Sequence, residues 1–171
     1  MRRRRNLRLN EIIRTKHRLF VLKRIMFKIF KKMNINTNEL KKIIIRFGRD
    51  DEFDQNCAAS LIIKKDGNEI IIRRNLYAYN VLGEISHECG HEITTFGKFG
   101  LYGKRRRNII GETSAYNFTK QFITKFNEEK GTKLLFNSGW YSFFSSPTHC
   151  ISRVLVNIPL GSLINSKYKN S

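Results

Sequence analysis

Residues 76–96 of this 171-residue chain read LYAYNVLGEISHECGHEITTF. The segment is typical of a helix, and it contains His87-Glu88-Cys89-Gly90-His91. In an α-helix, positions i and i+4 differ by about 40° in azimuth and about 6 Å in rise. Two imidazoles at this spacing can bind one ion from the same helix face, so His87 and His91 are candidate metal ligands.

Glu88 follows the first of these histidines directly. In an H-E-x-x-H helix this glutamate can reach a water molecule in the open coordination position of the ion. The pattern therefore predicts Glu88 as a general base. The alternative interpretation is two histidines on a helix surface with a charged neighbour.

Glu112 is the candidate third ligand, because a catalytic zinc ion takes three protein ligands and leaves one position to water. It lies 21 residues after His91, near the start of a second predicted helix that runs from Ile109 to Glu129 and stops at Gly131. Two antiparallel helices joined by the loop between residues 96 and 109 would bring Glu112 beside the first helix. The small Ala115 would let the two helices approach closely. The alternative is an acid of the first turn, favoured by the helix dipole.

The residues before the first helix predict strands. Residues 60–64 and 69–73 flank Lys65-Asp66-Gly67-Asn68, which predicts a β-hairpin. Residues 43–47 predict a further, buried strand, followed by an acidic loop. The fold class expected from this order of elements is α+β.

Positive charge is concentrated at the N-terminus. Residues 1–42 contain 15 Lys and Arg against two acidic residues, a net charge of +13, whereas residues 43–171 contain 18 against 12, a net charge of +6. We therefore expect a basic helical arm over 1–42 and a second domain over 43–171. Polyanions are the first candidate partners of such an arm.

Residues 11–33 predict one amphipathic helix in this arm, ending at a hinge over 34–38. Its basic face has three possible roles: it is simply solvated while the apolar stripe packs on the body, it lies on an anionic membrane, or it binds nucleic acid. The last two would act through residues 1–33.

The order hairpin, H-E-x-x-H helix and Glu-bearing helix resembles a minimal zincin metallopeptidase of the glutamate-ligand (gluzincin) type. More narrowly, residues 87–91 resemble the H-E-x-G-H of the ImmA/IrrE-like peptidases, and residues 112–123 resemble their E-x-x-A-x-x-F-A-x-x-L-L helix. Small metallopeptidase toxin domains share much of this pattern. The resemblance covers residues 60–125. It departs at 97–107, with three Gly and four consecutive basic residues, and after 131.

The resemblance implies a Zn2+-dependent hydrolase that cleaves peptide bonds in a protein substrate. His87, His91 and Glu112 would bind zinc, and Glu88 would accept the proton of the attacking water. The tetrahedral oxyanion needs one further donor. The candidates are Tyr102, Tyr116, Tyr141 and His149, of which Tyr116 and His149 are favoured.

The rival hypothesis is a non-enzymatic protein that binds nucleic acid or an anionic membrane and has a structural or vestigial metal site. Four neighbouring features carry smaller predictions. Cys89 is expected to be a buried thiol, Glu84 and Glu92 either orient a histidine or face solvent, and Lys104–Arg107 either bind an acidic substrate or form a solvated loop.

No window of 18 apolar residues is present, and the longest apolar run near the N-terminus, Leu19 to Leu22, is too short for a signal peptide. Three widely spaced cysteines favour thiols in a reducing compartment. These features predict a cytoplasmic protein, with a secreted toxin domain as the alternative. They predict no oligomeric state.

Overall fold

A computed structural model describes residues 8–38, 40–53, 57–94 and 109–134. Within these residues the fold is mixed α+β, with three helices and two small sheets. The elements, in chain order, are β1 (Ile12–Ile13), α1 (Lys16–Lys32), β2 (Ile44–Phe47), β3 (Ala59–Ile62), β4 (Glu69–Ile72), β5 (Leu76–Tyr77), α2 (Ala78–Ile93) and α3 (Ile109–Lys130), with 3-10 turns at Leu40–Lys42 and Asp50–Glu52.

The predicted hairpin is confirmed. β3 pairs antiparallel with β4, with Ala59 opposite Ile72 and Ile62 opposite Glu69. The turn between them contains Gly67 at φ 132°, a conformation that favours glycine because it has no Cβ. β2 pairs with the other edge of β4, so the apolar β4 has a strand on each side.

The strand predicted over 43–47 is present as β2, but its prediction as a buried strand is wrong. β2 runs parallel to β4 at the edge of a sheet with the order β2-β4-β3. Ile44 is 55% exposed, whereas Ile70, Ile71 and Ile72 of β4 are completely buried. An edge strand has a neighbour on one side only, so β2 is more exposed than β4, which lies at the centre of the sheet.

The predicted N-terminal helix begins later than residue 11. Ile12 and Ile13 form β1, which pairs antiparallel with β5 directly before α2. Thr15 is the N-cap of α1, where its side chain accepts a hydrogen bond from the backbone N–H of Arg18 at 3.3 Å. Pairing with β5, far along the chain, thus places Ile12 and Ile13 in a strand, although the local apolar pattern predicted a helix there.

α2 begins at Ala78 and not at residue 76, and the segment before β1 accepts hydrogen bonds from the first turn of this helix. The backbone N–H of Ala78 donates to the carbonyl of Glu11 at 2.8 Å, and that of Tyr79 donates to the carbonyl of Leu9 at 3.1 Å. The first N–H groups of a helix have no partner inside it. Here the N-terminal segment supplies two of those partners.

The apolar stripe of α1 belongs to one hydrophobic core together with α2, α3 and the sheet. Phe30 is completely buried, and its ring centroid lies 5.5 Å from that of Phe118 and 5.3 Å from that of Phe122, both on α3. Ile35 and Thr37, in the predicted hinge, are also buried. The predicted hinge after α1 is therefore partly buried, with Ile35 in the hydrophobic core.

No helix among the described residues combines the length and the apolar character that crossing a membrane requires. The described part of α3 ends as predicted, with Lys130 as its last residue and Gly131 at φ 61°.

The first prediction concerns the packing of α1. We expect Phe30→Ala to lower the free energy of unfolding by about 3 kcal/mol, because it removes a buried ring between two others. Phe20→Ala on the same helix is the matched control: Phe20 is 57% exposed, so we expect about 0.5 kcal/mol or less. Urea unfolding of both variants measures the difference, and equal effects would mean that α1 does not pack on α3.

Candidate metal centre

His87 and His91 lie one turn apart on α2 and are 2% and 5% exposed. Their Nε2 atoms are 3.1 Å apart, and the two rings stand nearly perpendicular, at 88°. Both histidines are therefore turned toward one point, as their i, i+4 spacing predicted.

Glu112, in the first turn of α3, completes the group. Its Oε2 lies 3.3 Å from Nε2 of His87, and its Oε1 lies 3.6 Å from Nε2 of His91. Two ligands of a tetrahedral metal ion with bonds of about 2.1 Å lie about 3.4 Å apart. The three side chains are buried and arranged so that they could hold a metal ion.

The electrostatics of the group favour an ionised carboxylate. Burial alone raises the pKa of Glu112, but the hydrogen bonds with His87 and His91 and their charges outweigh burial and bring it well below its usual range. Metal binding would need this ionised carboxylate together with neutral imidazoles at His87 and His91.

The contact between α2 and α3 is unusually close at Gly90. A Cβ atom placed on Gly90 would lie 2.9 Å from Cα and 3.0 Å from the carbonyl oxygen of Ala115. The sequence predicted that Ala115 would allow a close approach, and the structure confirms a close contact there. Gly90 is the other half of this contact. Both candidate ligand histidines flank Gly90 on α2, and Glu112 lies one turn before Ala115 on α3.

The other predicted catalytic residues are placed as follows. Glu88 is 9% exposed and follows His87 on α2. Tyr116 is completely buried, and its ring centroid lies 4.5 Å from that of His87. Three of the oxyanion candidates, His149, Tyr102 and Tyr141, lie outside the described residues, as do Lys104–Arg107.

Two further carboxyls of α2 are buried, so the alternative that they face solvent is wrong. Glu84 is 7% exposed, and burial, with a smaller contribution from the charge of Glu88, raises its pKa to about 8. Glu92 is 5% exposed and accepts a hydrogen bond from Nδ2 of Asn68 at 2.9 Å. Because its pKa lies above 7, the carboxyl of Glu84 is mainly protonated at neutral pH.

Asn68 is a partner that sequence reasoning missed. It ends the hairpin turn, and its own carbonyl accepts the backbone N–H of Ile44 at 3.1 Å. One residue thereby joins the turn, β2 and the C-terminal end of α2, next to the ligand His91. No local signal in the sequence distinguishes this asparagine from an ordinary turn residue.

Cys89 lies between the two histidines in sequence but on another side of α2. It is 1% exposed and part of the hydrophobic core. Burial, together with the charge of Glu88, raises the pKa of the thiol, and the nearby Lys23 opposes this only in part. The prediction of a buried thiol is confirmed.

Comparison of the chain with protein-family models, with curated proteins and with solved structures gives no match. A functional proposal therefore depends on the residues and the geometry of the site itself.

The second prediction tests the close helix contact. In most helix interiors Gly→Ala raises stability by about 1 kcal/mol. We expect Gly90→Ala to lower it by about 1–3 kcal/mol instead and to weaken metal binding, because the new methyl meets the backbone of Ala115. Thermal unfolding and metal titration measure the two effects.

The double variant Gly90→Ala, Ala115→Gly is the control. Since the nearest atoms are Cα and the carbonyl oxygen of residue 115, removal of its methyl should not restore stability. A fully stable Gly90→Ala protein would contradict the close approach.

The third prediction follows from the buried carboxyl of Glu84. Its pKa of about 8 lies above the 4.5 of an exposed glutamate, so the native state holds this proton more tightly than the unfolded state. Stability from this group is complete below about pH 4.5 and is lost as the pH rises toward 8. Relative to Glu84→Gln, wild type should lose about 3 kcal/mol between pH 5 and pH 8.

Urea unfolding of metal-free protein at several pH values measures this difference. The remaining titratable groups are shared, so the comparison reports on Glu84 together with its interaction with Glu88. Glu128→Gln is the control: this carboxyl is exposed, and its removal should leave the pH profile parallel to that of wild type. Parallel profiles for wild type and Glu84→Gln would refute the raised pKa.

Proposed function

We propose that this protein is a zinc-dependent metallopeptidase that hydrolyses peptide bonds in a protein substrate. One observation carries the proposal: the imidazoles of His87 and His91 and the carboxylate of Glu112 converge within 3.1–3.6 Å in a buried site. Glu88, the glutamate of the H-E-x-x-H pattern, lies beside the first of these ligands.

The donor set supports zinc as the metal. Two imidazole nitrogens and one carboxylate are a ligand combination of catalytic zinc sites, in which a fourth position is left for water or substrate. A closed structural site would use a fourth protein ligand. Among the described residues, these three alone form a group of possible metal ligands.

Bound zinc would lower the pKa of a water molecule toward about 7 and polarise the scissile carbonyl. Glu88 would accept the proton of that water and return it to the leaving amine. His87 and His91 lie on one helix and Glu112 on another, so the packing of α2 on α3 would hold the ligand set together.

Tyr116 is the candidate oxyanion donor that lies within the described residues. Its ring packs beside that of His87 and one turn after Glu112, which supports a position near the reacting carbonyl. His149 remains a candidate on the strength of the sequence alone.

The finer description of the fold that we propose is a minimal zincin of the glutamate-ligand type. It is supported by the order of a small sheet with a hairpin, then the helix with both histidines, then the helix with the glutamate. On the motifs alone, we propose a relationship to the ImmA/IrrE-like peptidases or to small metallopeptidase toxin domains. We further propose that the basic N-terminal region docks the enzyme on a polyanion.

The fourth prediction tests the metal and the base separately. We expect about one zinc ion per wild-type chain by elemental analysis and at least tenfold weaker zinc binding in Glu112→Ala, because one of three ligands is lost. Glu128→Ala, at an exposed position of the same helix, is the matched control and should keep its zinc. Glu88→Gln should also keep zinc and lose proteolysis by a factor of about 100 or more.

Proteolysis is measured on a peptide library from a digested cell extract, with new termini detected by mass spectrometry, so that no cleavage preference is assumed. Wild-type protein that fails to bind zinc would overturn the metal site. Zinc-loaded wild type without cleavage, or a Glu88→Gln protein that cleaves as fast as wild type, would overturn the peptidase and favour the non-enzymatic binding protein.

A further inference from the structure

One side of α1 forms an exposed basic surface, which we call the α1 outer face. It consists of His17, Phe20, Arg24, Lys28 and Lys31, all of them exposed. These residues lie opposite the buried stripe that includes Phe30, which points toward α3. The α1 outer face is therefore directed away from the helix that carries Glu112.

Among the residues that the structure describes, the cations at the centre of this face have no carboxylate partner. In the part of the chain that the structure describes, the ion pairs of α1 are Arg18 with Glu11 and Lys32 with Glu129, each at 2.9 Å. Both pairs lie near the ends of the helix. Within the same described ranges, Arg24, Lys28 and Lys31 have no carboxylate within 4 Å.

Additional positive charge flanks the middle of α1. Nζ of Lys23 donates to the carbonyl of Ile43 at 2.7 Å, which joins the helix to the start of β2. Lys41 and Lys42 directly precede Ile43 and are exposed. The positive surface thus extends from the helix to Lys41 on the neighbouring turn.

The packing of α1 distinguishes between an anionic membrane and nucleic acid as partners. A helix that lies in a membrane interface buries its apolar face among the lipids. In this protein that face is already used in the core, where Leu22, Met26 and Phe30 are completely buried. Of the described residues of α1, Phe20 is the one large apolar side chain that is exposed, so insertion into lipid would have little to drive it.

We propose that the α1 outer face docks on the phosphate backbone of nucleic acid. Unpaired cations along one helix face match a line of phosphates, and binding is driven by release of their counterions. The contacts are to phosphates, so no base sequence is preferred. The inference rests on the polyanion docking of the proposed function and is independent of its peptidase chemistry.

The test compares two triple variants of the full-length protein that remove the same charge. One carries Arg24→Gln, Lys28→Gln and Lys31→Gln on the α1 outer face. The other carries Arg49→Gln, Lys65→Gln and Arg74→Gln, which are exposed cations on the loops around the sheet. The probes are a fluorescein-labelled 20-base-pair DNA duplex of mixed sequence and vesicles of phosphatidylcholine with one quarter phosphatidylserine.

We expect the variant of the α1 outer face to bind the duplex at least about tenfold more weakly at 100 mM salt. The slope of log K against log salt concentration should also become less steep, by the amount that corresponds to about three lost phosphate contacts. The loop variant should bind within about twofold of wild type. Circular dichroism and zinc content, which should be unchanged in both, separate loss of docking from loss of fold or of the metal site.

Three results would overturn the proposal. Equal losses in both variants would mean that net charge alone drives binding. Undiminished binding in the variant of the α1 outer face would place the interaction elsewhere in the chain. If that variant loses affinity for the vesicles and not for the duplex, the partner of this face is an anionic membrane.

Discussion

The close contact of α2 with α3 at Gly90 and Ala115 is the constraint on which the candidate site depends. The three candidate ligand side chains come from two helices, and their donor atoms meet within 3.1–3.6 Å only because those helices nearly touch. A side chain of any size at position 90 would meet the backbone of Ala115, not a side chain that could move aside. The glycine inside the H-E-x-x-H segment therefore has a structural role that is distinct from the chemistry of its neighbours.

Around this contact the protein buries an unusual number of ionisable groups. Glu84, Glu88, Glu92 and Glu112 are all at most 9% exposed, and both histidines lie among them. Burial of charge is unfavourable unless it is compensated. The compensation differs at three of these positions: burial raises the pKa of Glu84 so that it keeps its proton, the carboxylate of Glu92 accepts from Asn68, and that of Glu112 faces two imidazoles. A bound cation would add compensation where the donor atoms converge.

α1 connects this polar centre to the surface. Its inner face supplies Phe30 to the core beside α3, and its outer face presents cations that no carboxylate of the described residues neutralises. The two faces serve different purposes, since the first stabilises the helix that carries Glu112 and the second is available to a partner. The proposed docking therefore uses the exposed side of α1, whereas the proposed hydrolysis uses groups buried where α2 packs on α3.

The sequence by itself determined the features that depend on residues close together in the chain. The i, i+4 spacing placed His87 and His91 on one helix face, the Lys65–Asn68 turn predicted the hairpin, and Gly131 marked the end of α3. Only the tertiary structure decided the features that depend on a distant partner. Ile12 and Ile13 fit an amphipathic helix, but they form a strand because β5 lies beside them. Ile44 fits a buried strand, yet it is exposed because β4 occupies the centre of the sheet. Asn68 reads as a turn residue, but it also holds Glu92. Local patterns predict which conformations a segment favours, whereas burial and hydrogen-bond partners across the fold determine which of them is adopted.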